Sequence, residues 1–317
     1  MAGPPRVTLK KAWNERVLYG FIVPALLLVI VFSYAPAFSA LQHAFYEWNG
    51  GDQKEFTGLK NFQRLLGDWV FWESFITISI LVVANVFKLI PSILIAVLIH
   101  HMRNDRARYF YRIAVVLPMI VPGIVTLFIW KFFLDPNFGL LNTFLDITGL
   151  KGLLVHLDQF LGLGAISADL PINWLGTPQL VLPSLIIWGF PWIGTVGVLV
   201  YLAGLENIPE EVYESAKLDG AGPVRVLVSI ELPLILSHIR ITLILLVIGT
   251  LQSYGQQFLL LGESGGPSNA GMTPGLWMFN RAFFAGEFGY ACALGLVLFF
   301  FILFLTVINN KFVRVDK

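Results

Sequence analysis

Residues 208–233 read IPEEVYESAKLDGAGPVRVLVSIELP, a polar and charged interlude between two long apolar runs. Ile208, Val212 and Ala216 recur at i, i+4 and i+8 with Tyr213 beside them, and Glu210, Glu211, Glu214, Lys217 and Asp219 take the remaining positions. That spacing predicts a short amphipathic helix with one apolar stripe. Asn207 suits its N-cap, Pro209 its first turn, and Glu210 and Glu211 complement its positive end. Asp219-Gly220 should stop it, because glycine tolerates the positive φ of a helix end. Gly222-Pro223 then opens a second helix, with Leu227, Ile230 and Leu234 facing back. The expected unit is a helix–turn–helix projecting from whatever the apolar runs build.

The apolar runs belong in a membrane. Of 317 residues, 56% are hydrophobic and 13% charged, and mean hydropathy is +0.75, whereas a soluble domain carries about 25% charged residues. A net charge of +1 argues against a nucleic-acid partner, which needs a concentrated basic face. The single cysteine, Cys292, excludes a disulfide framework or a cysteine-based zinc cluster. The polar start lacks a small-residue cleavage site, and the apolar run behind it is too long for a signal-peptide core, so it reads as a retained span.

A spanning helix needs about 20 mostly apolar residues. Six segments qualify, near 17–40, 74–100, 109–134, 178–204, 236–261 and 289–312. A further stretch, 150–168, holds Lys151, His156, Asp158 and Gln159 between glycines and reads as an interfacial or loop helix. With six spans, fourteen of the lysines and arginines fall on the side of the termini and the 208–233 loop, and six on the other. Basic residues collect on the cytoplasmic side. The chain is therefore expected to be one all-α membrane domain (17–312) with cytoplasmic tails at 1–16 and 313–317 and a cytoplasmic loop over 205–235. Trp48, Trp69, Trp72, Trp130, Trp174 and Trp277 fall near span ends or in outer loops, as an interfacial aromatic belt would place them.

The interlude resembles the E-A-A-x3-G-x9-I-x-L-P signature of the membrane subunits of binding-protein-dependent ABC importers. Glu214, Ser215 and Ala216 stand at the E-A-A positions, with Ser215 the one departure, and Gly220, Ile230, Leu232 and Pro233 follow at the signature's spacing. FTGLKNF (56–62), DPNFGLLN (135–142), LAGLENIP (202–209) and SGGP (264–267) are similar to the sugar-transporting subgroup, and VLYGFIVPA (17–25) to the first of its two paired membrane subunits. The resemblance implies a type I importer permease of the bacterial inner membrane. It also implies a complex with a second homologous permease subunit, two cytoplasmic ATPase subunits that dock on the 208–233 loop, and an external solute-binding protein. ATP and magnesium would be used by those ATPases, and this chain would bind no cofactor and catalyse no reaction. A loop lying flat on the bilayer is the competing reading, but its acidic face would be repelled by anionic lipid.

Solute contacts are expected where polar side chains enter spans, because such groups are costly in lipid and face cavities. Gln252, Ser253, Tyr254 and Gln256 end the fifth span, with Gln252 and Gln256 on one helical face, and Trp192, Gly194 and Thr195 sit in the fourth. Amides and hydroxyls beside aromatic rings suit an uncharged polyol; interhelical polar ties and small-residue packing are the plainer role. Lys88 is the one charge deep in a span, and Asn85, Lys88 and Ser92 share a face at i, i+3 and i+7. The expected solute is a sugar or related carbohydrate moved inward by alternating access, with glycerol phosphate or an amino acid as the alternative. A self-sufficient secondary carrier would need an inverted repeat and a membrane-embedded acid, and an enzyme paired histidines or acids at mid-bilayer. The sequence offers neither.

Overall fold

The computed structural model describes residues 16–312. Helices dominate, as lipid demands: backbone polar groups in hydrocarbon must be satisfied within their own segment. The chain divides into two compact units, one formed by the residues up to Gly67 with Arg281–Val297, the other by Asp68–Asn280 with the residues from Leu298.

In the first unit, α1 (Arg16–Val29) continues through a π-turn at Ile30–Tyr34 into α2 (Ala35–His43). Among the described residues, nothing buries the apolar window of its segment Gly20–His43. A hairpin pairs β1 (Tyr46–Trp48) with β2 (Lys54–Phe56), Tyr46 opposite Phe56. It is followed by α3 (Lys60–Leu66). Buried Asn61 explains the FTGLKNF stretch: its amide donates to the carbonyls of Ala44 (3.0 Å) and Tyr46 (2.9 Å), tying the helix to the hairpin. Arg64 makes a two-pronged pair with Glu287, both contacts at 2.9 Å, and stacks over Tyr290.

The second unit runs through α4 (Trp69–Phe87), α5 (Leu89–His100), α6 (Asp105–Val116), α7 (Gly123–Phe133), α8 (Leu140–Thr148), α9 (Leu150–Leu161), α10 (Pro178–Ile187), α11 (Thr195–Glu206), α12 (Glu210–Leu218), α13 (Pro223–Val226), α14 (Leu232–Leu234), α15 (Leu236–Leu251), α16 (Gly255–Leu261) and the start of α17 (Pro274–Phe283). Helix α18 (Phe288–Phe312) begins in the first unit and ends in the second. Asp68 caps α4 by accepting from the Phe71 amide. One core layer joins Ala96 and Ile99 of α5 to Val198, Tyr201, Leu202 and Leu205 of α11 and to Ile235. A second joins Ile78 and Leu81 of α4 to Val181, Leu185, Leu251 and Leu260. Burial against a neighbour gains little hydrophobic free energy in lipid, so close packing and polar ties hold helices together. The Tyr201 hydroxyl, 2.6 Å from Thr242 Oγ1, is such a tie between α11 and α15.

Three expected spans are not single straight helices. The third bends by 87° between Asp105–Ile120 and Gly123–Phe133, where Pro118 and Pro122 remove backbone donors and Pro122 turns extended. The fourth is interrupted between Ile187 and Thr195: Gly189 and Trp192 take positive φ of 78° and 61° around Pro191. The fifth stops at Leu251 and resumes at Gly255. Within 150–168, only Leu150–Leu161 is helical, at 95° to Leu140–Thr148. At 1.5 Å per residue those two helices reach only about 18 and 14 Å, short of the roughly 30 Å hydrocarbon core. Buried Asp158 closes the loop after α9 by accepting from the amides of Ala165 and Ile166.

Candidate functional site

The interruptions converge on a cavity of about 640 Å³ within the second unit. Asn85, Lys88 and Ser92 enter it from α4 and α5, Trp188, Trp192 and Gly194 from the break between α10 and α11, and Thr250, Ser253, Gln256 and Gln257 from the break between α15 and α16. Leu81, Leu185, Leu245 and Leu246 supply apolar wall. The polar groups order one another. Asn85 donates to Thr250 Oγ1 (3.1 Å), Ser253 to Gln257 Oε1 (3.1 Å), and the Gly194 amide to Ser92 Oγ (2.8 Å). Lys88 Nζ lies 3.4 Å from the Trp188 carbonyl and 5.8 Å from the centre of the Trp192 ring.

Of the residues expected to contact solute, Ser253, Gln256, Trp192 and Gly194 line this cavity, and so does the Asn85–Lys88–Ser92 stripe. Gln252, Tyr254 and Thr195 do not. The shared face expected of Gln252 and Gln256 presumes an unbroken helix, whereas the chain leaves helical geometry at Tyr254 (φ −136°). Gln252 is left exposed, Tyr254 stacks on Phe279 at 4.9 Å, and the Thr195 hydroxyl is committed to the Val115 carbonyl at 2.8 Å. Gln257, buried, takes the inward place.

The 208–233 element forms the expected helix at Glu210–Leu218. Asn207 is not its cap: Asn207 ends the preceding helix, its amide donating to the Ala203 carbonyl at 2.9 Å, and Pro209 holds the N-cap place without a side-chain bond. Ala216 is buried, while Glu214 and Ser215 are exposed. Gly220 has φ +69° with open space around it, so a side chain there would meet backbone strain rather than a clash. Beyond it, α13 passes through a π-turn at Leu227–Glu231 into α14. Leu227, Ile230 and Leu232 are half-buried and Pro233 is exposed. Leu234, expected to face back, is 53% exposed, because the π-turn advances the register past it. Leu218 at the tip is 89% exposed, an apolar residue with little cover among the described residues.

One functional candidate escapes the sequence reading. Glu231, between Ile230 and Leu232 of the signature, is fully buried. Its Oε1 accepts from His101 Nε2 at 2.6 Å and from the Tyr213 hydroxyl at 3.2 Å, and the same hydroxyl lies 3.2 Å from His100 Nε2. Tyr213 belongs to α12 and the histidines to the end of α5, so the carboxylate clasps the projecting helix to a membrane helix. Burial first, and then Glu231 beside it, push the Tyr213 phenol well above its ordinary range. Arg112 and Glu206 form a second clasp, between α6 and α11. The available signal was an acid in an otherwise apolar turn together with a His-His pair ending a preceding span.

Residues 92–314 match the family described as binding-protein-dependent transport system inner membrane component. The chain is 32% identical to the diacetylchitobiose uptake system permease protein NgcF of Streptomyces coelicolor, over 93% of this chain and 82% of that protein. It is 29% identical to the trehalose/maltose transport system permease protein MalF of Thermococcus litoralis, over 96% of each. Among solved structures, a chain of a bacterial alginate ABC transporter in complex with an alginate pentasaccharide-bound periplasmic protein superimposes with a TM-score of 0.79 at 19% identity, covering 98% of both chains. The fold is thus shared well beyond recognisable sequence. With apolar helices broken around a polar cavity and the signature loop projecting from them, this chain belongs to the inner-membrane permease components of binding-protein-dependent transport systems.

Proposed function

We propose that the chain is one of two paired permease subunits that import a saccharide by alternating access, powered by ATPases that dock on α12. The observation that carries this reading is the physical linkage of the two sites. The exposed tip with Glu214, Ser215 and Leu218 is clasped through Tyr213 and Glu231 to the end of α5, and the same helix carries Ser92 into the cavity. Force applied at the tip therefore has a rigid route to the cavity wall. Leu218 and the neighbouring charges match what a docking helix needs, an apolar anchor inside a polar rim. The relatives handle diacetylchitobiose, trehalose and maltose, and amides beside two indoles suit the hydroxyl edges and apolar faces of such sugars.

In this arrangement the termini and the 205–235 loop lie in the cytoplasm, an external binding protein delivers solute, and ATP with magnesium is consumed by the partner ATPases. The test is reconstitution of the chain with a second permease, the ATPases and the binding protein in proteoliposomes. Uptake of a radiolabelled oligosaccharide should require ATP inside and binding protein outside. Uptake by the chain alone along an ion gradient would overturn the assignment.

A further inference from the structure

Lys88 is the single ionisable side chain in the cavity lining. No carboxylate among the described residues pairs with it; its ammonium has one carbonyl, that of Trp188, at 3.4 Å. An ammonium carries three donors, so two are left over. The indole N–H groups of Trp188 and Trp192 are likewise buried with no acceptor. The cavity thus has an excess of donors and a positive charge at a depth where an unpaired cation is costly. Helix α11 adds to it, since its N-terminus opens at Gly194 on the cavity wall and carries the positive end of the helix dipole.

We infer that the transported solute is an acidic saccharide, and that Lys88 binds its carboxylate while the indoles of Trp188 and Trp192 carry the pyranose faces. This rests on the carbohydrate reading above and narrows it. One ammonium balances one negative charge. A carboxylate brings one, whereas a phosphate monoester brings nearly two at neutral pH, which leaves excess negative charge in an apolar-walled site. The volume, about 640 Å³, falls within the roughly 300–1,000 Å³ typical of small-molecule sites.

The test is equilibrium binding to the complete permease–ATPase complex in nanodiscs with the binding protein omitted, so that this cavity alone is read. Three probes of one size separate the chemistries: cellobiouronic acid (glucuronosyl-glucose), cellobiose, and cellobiose 6′-phosphate. Wild type should bind the uronate at least about tenfold more tightly than cellobiose. Lys88→Met should weaken the uronate about ten- to a hundredfold, as expected for loss of a hydrogen bond to a charged group, and leave cellobiose within about twofold. Lys88→Arg should restore most of the uronate affinity. Equal binding of uronate and cellobiose, or tighter binding of the phosphate, overturns the inference. So does a Lys88→Met complex that falls apart without any change in selectivity, which would place a partner-subunit acid on Lys88. Binding-protein-dependent uptake of any saccharide, neutral or acidic, by cells carrying the transporter reads the broader carbohydrate assignment separately. Uptake of neutral sugars alone sinks the inference and keeps that assignment, and uptake of no saccharide at all sinks the assignment.

Discussion

Replacing Glu231 with alanine removes the acceptor shared by His101 and Tyr213 at 2.6 and 3.2 Å. A hydrogen bond to a charged group contributes about 1.5–3 kcal/mol, so the gross loss approaches about 3–6 kcal/mol. Two effects reduce it. The carboxylate is fully buried and its Oε2 has no partner, and burying a partly satisfied charge itself costs several kcal/mol. The His101 side chain is also half-exposed, so water can replace its lost acceptor. The net loss of stability should be modest, about 1–3 kcal/mol, and the assembled complex should survive. Coupling should suffer more, because the clasp between α12 and α5 is cut while both helices remain. In the reconstituted complex, basal ATPase activity of Glu231→Ala should stay within about twofold, while stimulation by solute-loaded binding protein falls about tenfold or more, the scale of one lost 1.4 kcal/mol contact. Glu231→Gln keeps an acceptor oxygen and should retain most of the stimulation. A Glu231→Ala complex that melts earlier yet keeps its full stimulation ratio would refute the clasp and leave Glu231 a packing residue.

Further outcomes follow from the same geometry. Glu214→Ala, which removes an exposed charge from α12, and Gly220→Val, which forces a β-branched residue to φ +69°, should leave the protein inserted and abolish uptake; coupled transport in both variants would remove the docking role. With Cys292 replaced by serine, a cysteine at Ser167 should react with an impermeant thiol reagent from outside, and one at Ser215 only after permeabilisation; the reverse pattern would invert the topology. Ser253→Ala and Gln256→Leu should weaken or redirect solute binding with normal complex yield, while Gln252→Leu should be silent; an altered selectivity in Gln252→Leu would mean that the fifth span is continuous in the working transporter. Tyr213 has a raised pKa, so its neutral form is favoured in the fold, and its contribution is complete below about pH 10 and lost as the pH rises beyond that. Thermal melts of wild type should therefore fall more steeply above pH 10 than those of Tyr213→Phe, and parallel curves would show that the phenol does not sense its surroundings.

The projecting element was readable because it obeys the rules of a helix in water. Val212 and Ala216 of its expected stripe keep the right period, while Ile208 falls before the helix, which starts at Glu210 after an extended Pro209. Its stop at Gly220 has a backbone reason that the structure meets with a positive φ. The Asn85–Lys88–Ser92 stripe was readable for a related reason: the backbone stays close to helical through Lys88 (φ −67°, ψ −9°), so residues spaced by three and four keep one face. Gln252 misleads because the same spacing rule was carried across a break. The break at Tyr254 suffices to leave Gln252 exposed and Gln257 buried. Glu231 offered only a faint signal, since its meaning comes from His101, 130 residues earlier in the chain.

Hydropathy hides these breaks because it averages over about 19 residues, and Trp188–Gly194 is apolar enough to pass as helix. Local chemistry does not hide them. Gly189 and Pro191 interrupt the fourth span and the Gln252-Ser253-Tyr254-Gly255 run the fifth, and each interruption opens on the same cavity. Non-helical backbone at membrane depth is tolerated only where it is buried in protein or lines a water-filled space. On the proposed reading, an interrupted span marks where polar solute passes, and the two that meet at the cavity opposite Lys88 would be that place. The glycines and prolines inside apolar runs thus carried the cavity's position in the sequence, while the glutamines only suggested its chemistry.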